Sequence, residues 1–292
     1  MNPFAYHTPE TQEEALALLH EHGDNAKLMA GGTALVIMMK QRLVVPETLI
    51  SLHRLRGLTA VQETDGALHL GALLTHRAAE TAPLLRARLP VLAETYRRVA
   101  TVRIRNVATV GGALAHADPN QDPPVTLLAL DAQVQLASVG GNRTVPLTDF
   151  FTDYYETVLR PDELLAAIRV PIPPPHTGSA YVKFLPRTAD DYATVGVAAT
   201  VQVDPATGTC QDCRIALGSV GSTPLRAQQA EAVVRGQRLT PELLREAGAV
   251  AQQQTDPISD TRGSADYKRA MAGVFVRRAL EQAWQQALAT PS

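Results

Sequence analysis

Apolar and polar positions recur along this chain at two different periods, and the switches between them divide it into three units. The first opens with "HTPETQEEALALLHEHG" (7–23), whose apolar residues fall at helical spacing behind three glutamates. Thr8 is the expected cap, Pro9 the first helical position and Gly23 the stop. "KLMA" (27–30) then predicts a short buried strand, "TALVIMMKQR" (33–42) a helix with few polar positions, and "PETLISL" (46–52) another strand. Strands alternating with helices imply a partly parallel sheet covered on both faces, and Arg56 and Gly57 close the unit.

The period then shortens to two. "LTAVQETDGALHLGALLT" (58–75) is a pair of alternating runs joined by Asp65-Gly66, a strong hairpin signal. Thr75 can cap a short helix, and "PVLAETYRRVA" (90–100) predicts a longer one. From 101 to 147 a glycine pair leads to a polar loop, a helix and a strand, and Gly140-Gly141 turns into the next strand. "DELLAAIRVPIPPP" (162–175) ends the unit; its four prolines within five residues (Pro171, Pro173, Pro174, Pro175) mark a stiff connection and a domain boundary. The third unit places three strand-like runs first, "SAYVKFLPR", "ATVGVAATVQV" and "CRIALGSV". Helices follow, over 225–236, 240–254 and 264–288. Strands first and helices afterwards predict an α+β domain with a three-stranded antiparallel sheet backed by helices. The expected layout is therefore 1–57, 58–175 and 176–292.

Composition narrows the function. The 292 residues carry a net charge of −2 and are 45% hydrophobic, which points neither to disorder nor to a nucleic-acid footprint. No apolar run reaches the length of a membrane span, and "MNPFAYHTPETQEEA" lacks a signal pattern, so a cytoplasmic location is expected. The two cysteines, Cys210 and Cys213 in "TGTCQDCRIALG", have the spacing of a redox dithiol or half a metal site, but no second pair exists. The stretch looks like a hairpin strand, not a helix start that would activate a thiol, and predicts two unreactive strand thiols.

Two glycine pairs carry the chemistry: "MAGGTAL" (29–35) and "TVGGALA" (109–115), each followed by small residues. Backbone N–H groups in such loops form anion-binding concavities, and two of them suit the two phosphates of a dinucleotide. The usual fingerprints are missing: no G-x-G-x-x-G, G-K-[ST], H-E-x-x-H or G-x-S-x-G occurs, and the eight histidines show no ligand-like spacing.

The whole chain resembles the FAD-binding medium subunit of the molybdenum hydroxylases, the family of carbon monoxide dehydrogenase and xanthine dehydrogenase. The resemblance rests on ordered motifs: "AGGTALVIMMKQRLVVPETLISL", "IRNVATVGGALAHADPNQDPPVTLLALDA", "ELLAAIRVPIP", "YVKFLPRTADDYATVGVA", "GSVGSTPLRAQQAEAVVRG" and "DYKRAMAGVFVRRAL". It implies a two-part α/β FAD-binding domain of the vanillyl-alcohol-oxidase-like type, then the α+β C-terminal domain. By position, Lys27, Leu28, Met29, Ala30, Gly31, Gly32, Thr33 and Ala34 would wrap the FAD pyrophosphate and ring edge. Thr109, Gly111 and Gly112 would form the second loop, with His116, Gln121 and Asp122 at the phosphate and ribose end. Leu165 would pack on the flavin or adenine, Lys183 would lie near the flavin, and Tyr192 would cover one face of the isoalloxazine. On the residues alone, His116 is equally a loop histidine, Asp122 a cap for the following helix and Tyr192 a core residue. Ala113 stands where the family commonly has Asn, and no cysteine-rich insertion is present for an extra iron–sulfur cluster.

The implied activity is electron transfer. Substrate would be oxidised at a molybdopterin centre in a large subunit, and electrons would pass through the iron–sulfur clusters of a small subunit to FAD here. An external acceptor would then take them. No catalytic acid or base is implied in this chain, and two cysteines cannot hold two clusters. The resemblance therefore implies a heterotrimer, present twice in the assembly. Two other readings stand beside it: a free-standing FAD-dependent oxidase, for which about 120 residues after the proline linker look too few, and a flavin-free scaffold.

Overall fold

The computed structural model describes residues 2–185, 187–188 and 190–289. Its first sheet is parallel, with strands β1 (Ala5–His7), β2 (Ala26–Met29) and β3 (Thr48–Ser51) in the order β1-β3-β2. Parallel neighbours need crossovers, and α1 (Gln12–His22) and α2 (Leu35–Lys40) supply them. Ala15, Leu16 and Leu19 of α1 pack on Ala26, Ile50 and Leu52. The cap of α1 is Thr11, not Thr8. Only Thr11 has a glutamate three residues on, and Thr11 Oγ1 accepts from Glu14 N (3.2 Å) while Glu14 Oε2 accepts from Thr11 N (3.4 Å). β1 gave no signal in the sequence because it is three residues long and largely exposed.

The second sheet is antiparallel, in the order β4-β5-β10-β6-β7. β4 (Val61–Thr64) and β5 (Ala67–Gly71) form the expected hairpin, with Asp65 and Gly66 both at positive φ (50° and 68°). A helical layer follows: α3 (His76–Thr81), α4 (Pro83–Arg88), α5 (Pro90–Arg97), α6 (Val102–Arg105), α7 (Val110–His116) and α8 (Asp122–Ala129). β6 (Gln133–Ser138) and β7 (Gly141–Pro146) turn at Gly140-Gly141. A small hairpin of β8 (Phe151–Asp153) and β9 (Glu156–Thr157) precedes β10 (Leu164–Pro171).

The third sheet has four antiparallel strands where three were expected: β11 (Thr177–Phe184), β12 (Val195–Val203), β13 (Cys210–Gly218) and β14 (Leu225–Arg226). The extra strand is two residues long. It pairs Leu225 with Leu217 and Arg226 with Ala216, and the sequence merged it with the helix that follows because two residues cannot display alternation. α9 (Gln228–Val234), α10 (Pro241–Gln253) and α11 (Ala265–Ala289) cover one face, against Val195, Val197, Ala199 and Val201. The other face, carrying Tyr181, Ala198 and Ala216, joins the core of the second sheet and its helices. Cys210 and Cys213 lie on β13, both buried and unbridged. No helix among the described residues is long and apolar enough to cross a membrane.

Close approach of the long helix fixes this region. A β-carbon at Gly178 would stand 1.9 Å from the Ala283 carbonyl oxygen of α11. Gly178→Ala is expected to lower stability by about 1–3 kcal/mol through overpacking against backbone that cannot yield, read as a fall in the denaturant midpoint at unchanged slope.

Candidate cofactor-binding site

The two glycine loops, some 80 residues apart in sequence, meet in space. The first leaves β2 and enters α2; the second leaves the 101–108 segment and enters α7. A β-carbon at Gly31 would lie 2.1 Å from the carbonyl oxygen of Val107, and one at Gly112 would lie 3.6 Å from Ala30 Cβ. Gly32 adopts φ 66°, a left-handed conformation that glycine alone takes without strain. Met29 and Val36 pack beside it. Leu28, Met29, Ala30, Thr33 and Ala34 are half-buried here, while Lys27 is exposed. Among the described residues, no acceptor is found for the N–H groups of Gly31, Gly32, Thr33 or Ala34.

The second loop differs. Val110 N donates to Leu74 O (2.9 Å), Gly111 N to Ala72 O (2.8 Å) and Gly112 N to Thr109 Oγ1 (3.2 Å). Its donors are committed within the protein, so its glycines serve close approach: at Gly111 a β-carbon would meet Ala72 Cβ at 2.5 Å. His76 helps to fix this loop, donating its N–H to Ala108 O (2.9 Å), while Thr75 bridges to Thr109. The His76 ring is buried against Tyr96, 5.1 Å between centroids, and neither ring nitrogen has a partner among the described residues. Burial lowers its pKa from 6.5 to about 4.

Asp122, Lys183 and Tyr181 form a buried triad. Lys183 Nζ donates to Asp122 Oδ2 (2.8 Å) and to Arg98 O (3.0 Å), and the Tyr181 hydroxyl donates to Asp122 Oδ1. The two charged side chains are only 3% and 4% exposed. Burial pushes the Asp122 carboxyl above its ordinary range, against the pull of Lys183 and Tyr181. Gly196 makes the triad possible, because a β-carbon there would sit 2.9 Å from the Tyr181 hydroxyl. Asp122 is the first residue of α8, so the helix caps at Gln121 and the carboxylate is directed to the third sheet instead. Gln121 Nε2 donates to Ala113 O (3.1 Å), tying the 118–121 strap to α7.

At the far end of α7 stands a second group. The His116 ring lies 5.2 Å from that of Tyr155, and burial lowers its pKa. Asp118, itself buried, is a near neighbour of both Tyr155 and Tyr192. Burial and Asp118 raise the Tyr192 pKa. Tyr192 is 42% exposed and so is not a core residue. Leu165 is buried on β10 in the core that holds Val110 and Leu114 of α7. The structure thus groups Asp122 with Lys183, and His116 with Tyr192. Sequence reasoning missed Tyr181, Asp118, Tyr155 and Arg262. Tyr181 was findable, since it lies two residues before Lys183 on a strand and so shares its face. Asp118 in "ADPN" carries an Asx-turn signal, and Asn120 N does donate to its Oδ1 (3.0 Å). Tyr155 and Arg262 gave none.

Lys183→Met should leave Asp122 buried and unpaired and cost about 3–5 kcal/mol, with much of that recovered in the Lys183→Met, Asp122→Asn double variant; chemical denaturation of the four proteins checks it. A histidine with a folded pKa of about 4 and an ordinary value of 6.5 contributes fully above pH 6.5, and the contribution is lost as pH falls towards 4. Between pH 7.5 and 4.5 the protein should lose about 2 kcal/mol more than His76→Phe does, measured from denaturant midpoints.

Two regions of the chain match known protein families. Residues 2–173 match the family described as the FAD binding domain in molybdopterin dehydrogenase, and residues 180–283 the CO dehydrogenase flavoprotein C-terminal domain. The carbon monoxide dehydrogenase medium chain of Hydrogenophaga pseudoflava is 40% identical over 281 residues, covering 96% of this chain and 97% of that one. That of Afipia carboxidovorans is 40% identical over 280 residues, covering 96% of each. A solved structure of the Hydrogenophaga pseudoflava carbon monoxide dehydrogenase, lacking the Mo-pyranopterin moiety of its cofactor, superposes with a TM-score of 0.94 at 41% identity. It covers 98% of this chain and 99% of that one.

Proposed function

Because the chain belongs to the FAD-binding medium subunits of the molybdenum hydroxylases, we propose that it holds FAD along α7 and relays electrons within a larger complex. It takes them from the iron–sulfur clusters of a small subunit, fed by a molybdopterin-containing large subunit, and passes them to an external acceptor. Two such heterotrimers form the assembly. Within the chain, 1–57 and 58–175 are the two halves of the FAD-binding part and 176–292 is the flavoprotein C-terminal part.

The observation that carries this reading is the meeting of two glycine loops, one of which offers four N–H groups with no acceptor among the described residues. That arrangement fits a diphosphate: the anion takes the donors of Gly31 to Ala34, and Thr33 adds a hydroxyl. Gly111 and Gly112 let α7 close on it from the other side, while Thr109 keeps the turn capped. α7 runs seven residues from Val110 to His116, about 10 Å, so its far end reaches the group of Tyr155, Asp118 and Tyr192. FAD, when bound, supplies a ring that accepts and returns electrons singly or in pairs. Tyr192 covers one face of that ring and Leu165 lies in the core under α7. Asp122 and Lys183 hold the third sheet against the strap that lines the same groove, and Gln121 fixes the strap to α7.

Gly32→Val places a β-branched residue at φ 66°, which costs about 2 kcal/mol in stability. It also fills the mouth of the first loop. The variant should fold and carry no flavin, whereas the parent protein should be yellow with near-stoichiometric FAD. A colourless parent protein, or a Gly32→Val variant with undiminished flavin, overturns the assignment.

A further inference from the structure

The linker between β5 and α3 clips the second glycine loop in place. Gly111 N donates to Ala72 O (2.8 Å), Val110 N to Leu74 O (2.9 Å) and His76 N to Ala108 O (2.9 Å), so every second residue of 72–76 holds the loop. Thr75 bridges to Thr109, the cap of α7, in the same ladder. The His76 side chain, 3% exposed, turns inward against Tyr96 of α5, which is fully buried. Neither ring nitrogen nor the Tyr96 hydroxyl has a hydrogen-bond partner among the described residues. Three unsatisfied polar atoms in one corner of a core are costly where an apolar residue would pack as well, so they call for a reason.

The charges nearby give it. On α3, Glu80 is buried and both its oxygens are taken, Oε1 by Arg77 (2.6 Å) and Oε2 by Arg105 of α6 (3.1 Å). From α4, Arg86 Nε donates to the Glu80 carbonyl (2.9 Å). α5 presents the neutral phenol of Tyr96, its Glu94 being paired with Arg97 and Arg98. Residues 108–111 carry no titratable side chain. Cations thus outnumber carboxylates around His76, and each carboxylate is already paired. Burial, reinforced by Arg105, keeps the ring neutral, with its pKa lowered to about 4. Arg105 also bears on the first loop: two residues on stands Val107, whose carbonyl oxygen Gly31 approaches. A proton on His76 would therefore press α6 away from α3, the two elements between which the spacing of both loops is set.

We infer that His76 is a positioning residue of the cofactor groove: uncharged, it keeps the 72–76 clip closed on the second loop and α6 against α3, and on taking a proton it opens the clip and releases flavin. This rests on the function proposed above and adds to it the residue that makes retention depend on acidity. The sign follows from linkage. With an ordinary pKa of 6.5 in the opened groove and about 4 in the closed one, affinity is constant above pH 6.5 and falls as pH drops towards 4. Between pH 7.5 and 4.5 the loss is about 100-fold, and at pH 5.5 about one proton is taken up for each flavin released. A histidine that merely fills space couples no proton to flavin binding.

The test uses the whole complex, purified with its partner subunits. It measures the FAD dissociation constant and proton uptake from pH 7.5 to 4.5, with circular dichroism reporting the fold. The parent should weaken about 100-fold while its dichroism is unchanged. His76→Phe, which keeps a ring against Tyr96 but cannot titrate, should weaken less than about threefold over the same range and take up no proton at pH 5.5. If that variant does not fold, His76→Gln takes its place, and if neither folds, proton uptake by the parent decides. The inference is overturned if the parent affinity is flat across the range, or if the substituted complexes follow the parent curve. Flavin that leaves without proton uptake, or only together with the dichroism signal, overturns it equally. A parent complex holding no flavin at pH 7.5 overturns the proposed function itself, an outcome distinguishable from flavin that is held but indifferent to acid.

Discussion

The main chain at Gly31 passes so close to Val107 that a β-carbon there would stand 2.1 Å from its carbonyl oxygen. This approach joins the parallel sheet of the first 57 residues to the helical layer of the second unit, and every feature of the groove is set relative to it. Because Gly31 touches backbone and not side chain, no neighbouring rotamer can relieve a substitution there. The same constraint recurs at Gly111 against Ala72. The loops are therefore built by what the chain omits. The two sides of the groove hold their spacing before any ligand arrives, which is what pre-organisation requires.

Buried charge supplies the second level of order. Asp122 and Lys183 come from opposite sides of the boundary between the two matched family regions, and both are nearly inaccessible. Such a pair adds little net stability over an apolar packing, yet it is costly to break, so it specifies one arrangement of the third sheet against α8. The glycines and alanines of that face let α8 sit close. A β-carbon at Gly218 would be 2.5 Å from Val125 Cγ2.

Much of this was legible in the sequence, and the reasons differ by element. The hairpin at Asp65-Gly66 declares itself because positive φ at two successive positions restricts the residues that fit. The glycine loops were visible because close approach of backbone at Gly31 and Gly111 admits no β-carbon, and the ordered motifs extended that to nearly the whole chain. β14 was not legible, since two residues carry no period. Nor was the pairing of Asp122 with Lys183, because 61 residues separate them and nothing local marks either as a partner. The first helix was displaced in reading because Thr8-Pro9 imitates a helix start, whereas the reciprocal bonds of Thr11 and Glu14 define the real one.

The strap of residues 118–121 sits between α7 and the third sheet, with Gln121 bonded to Ala113 and Pro119 O accepting from Ser219 N (3.0 Å). The point where one matched region gives way to the next is thus a seam only in the chain's linear order. Severed there, the leading fragment would expose the apolar underside of α8 and strand an aspartate without its cation. The two regions share one packed core, so neither is expected to fold without the other.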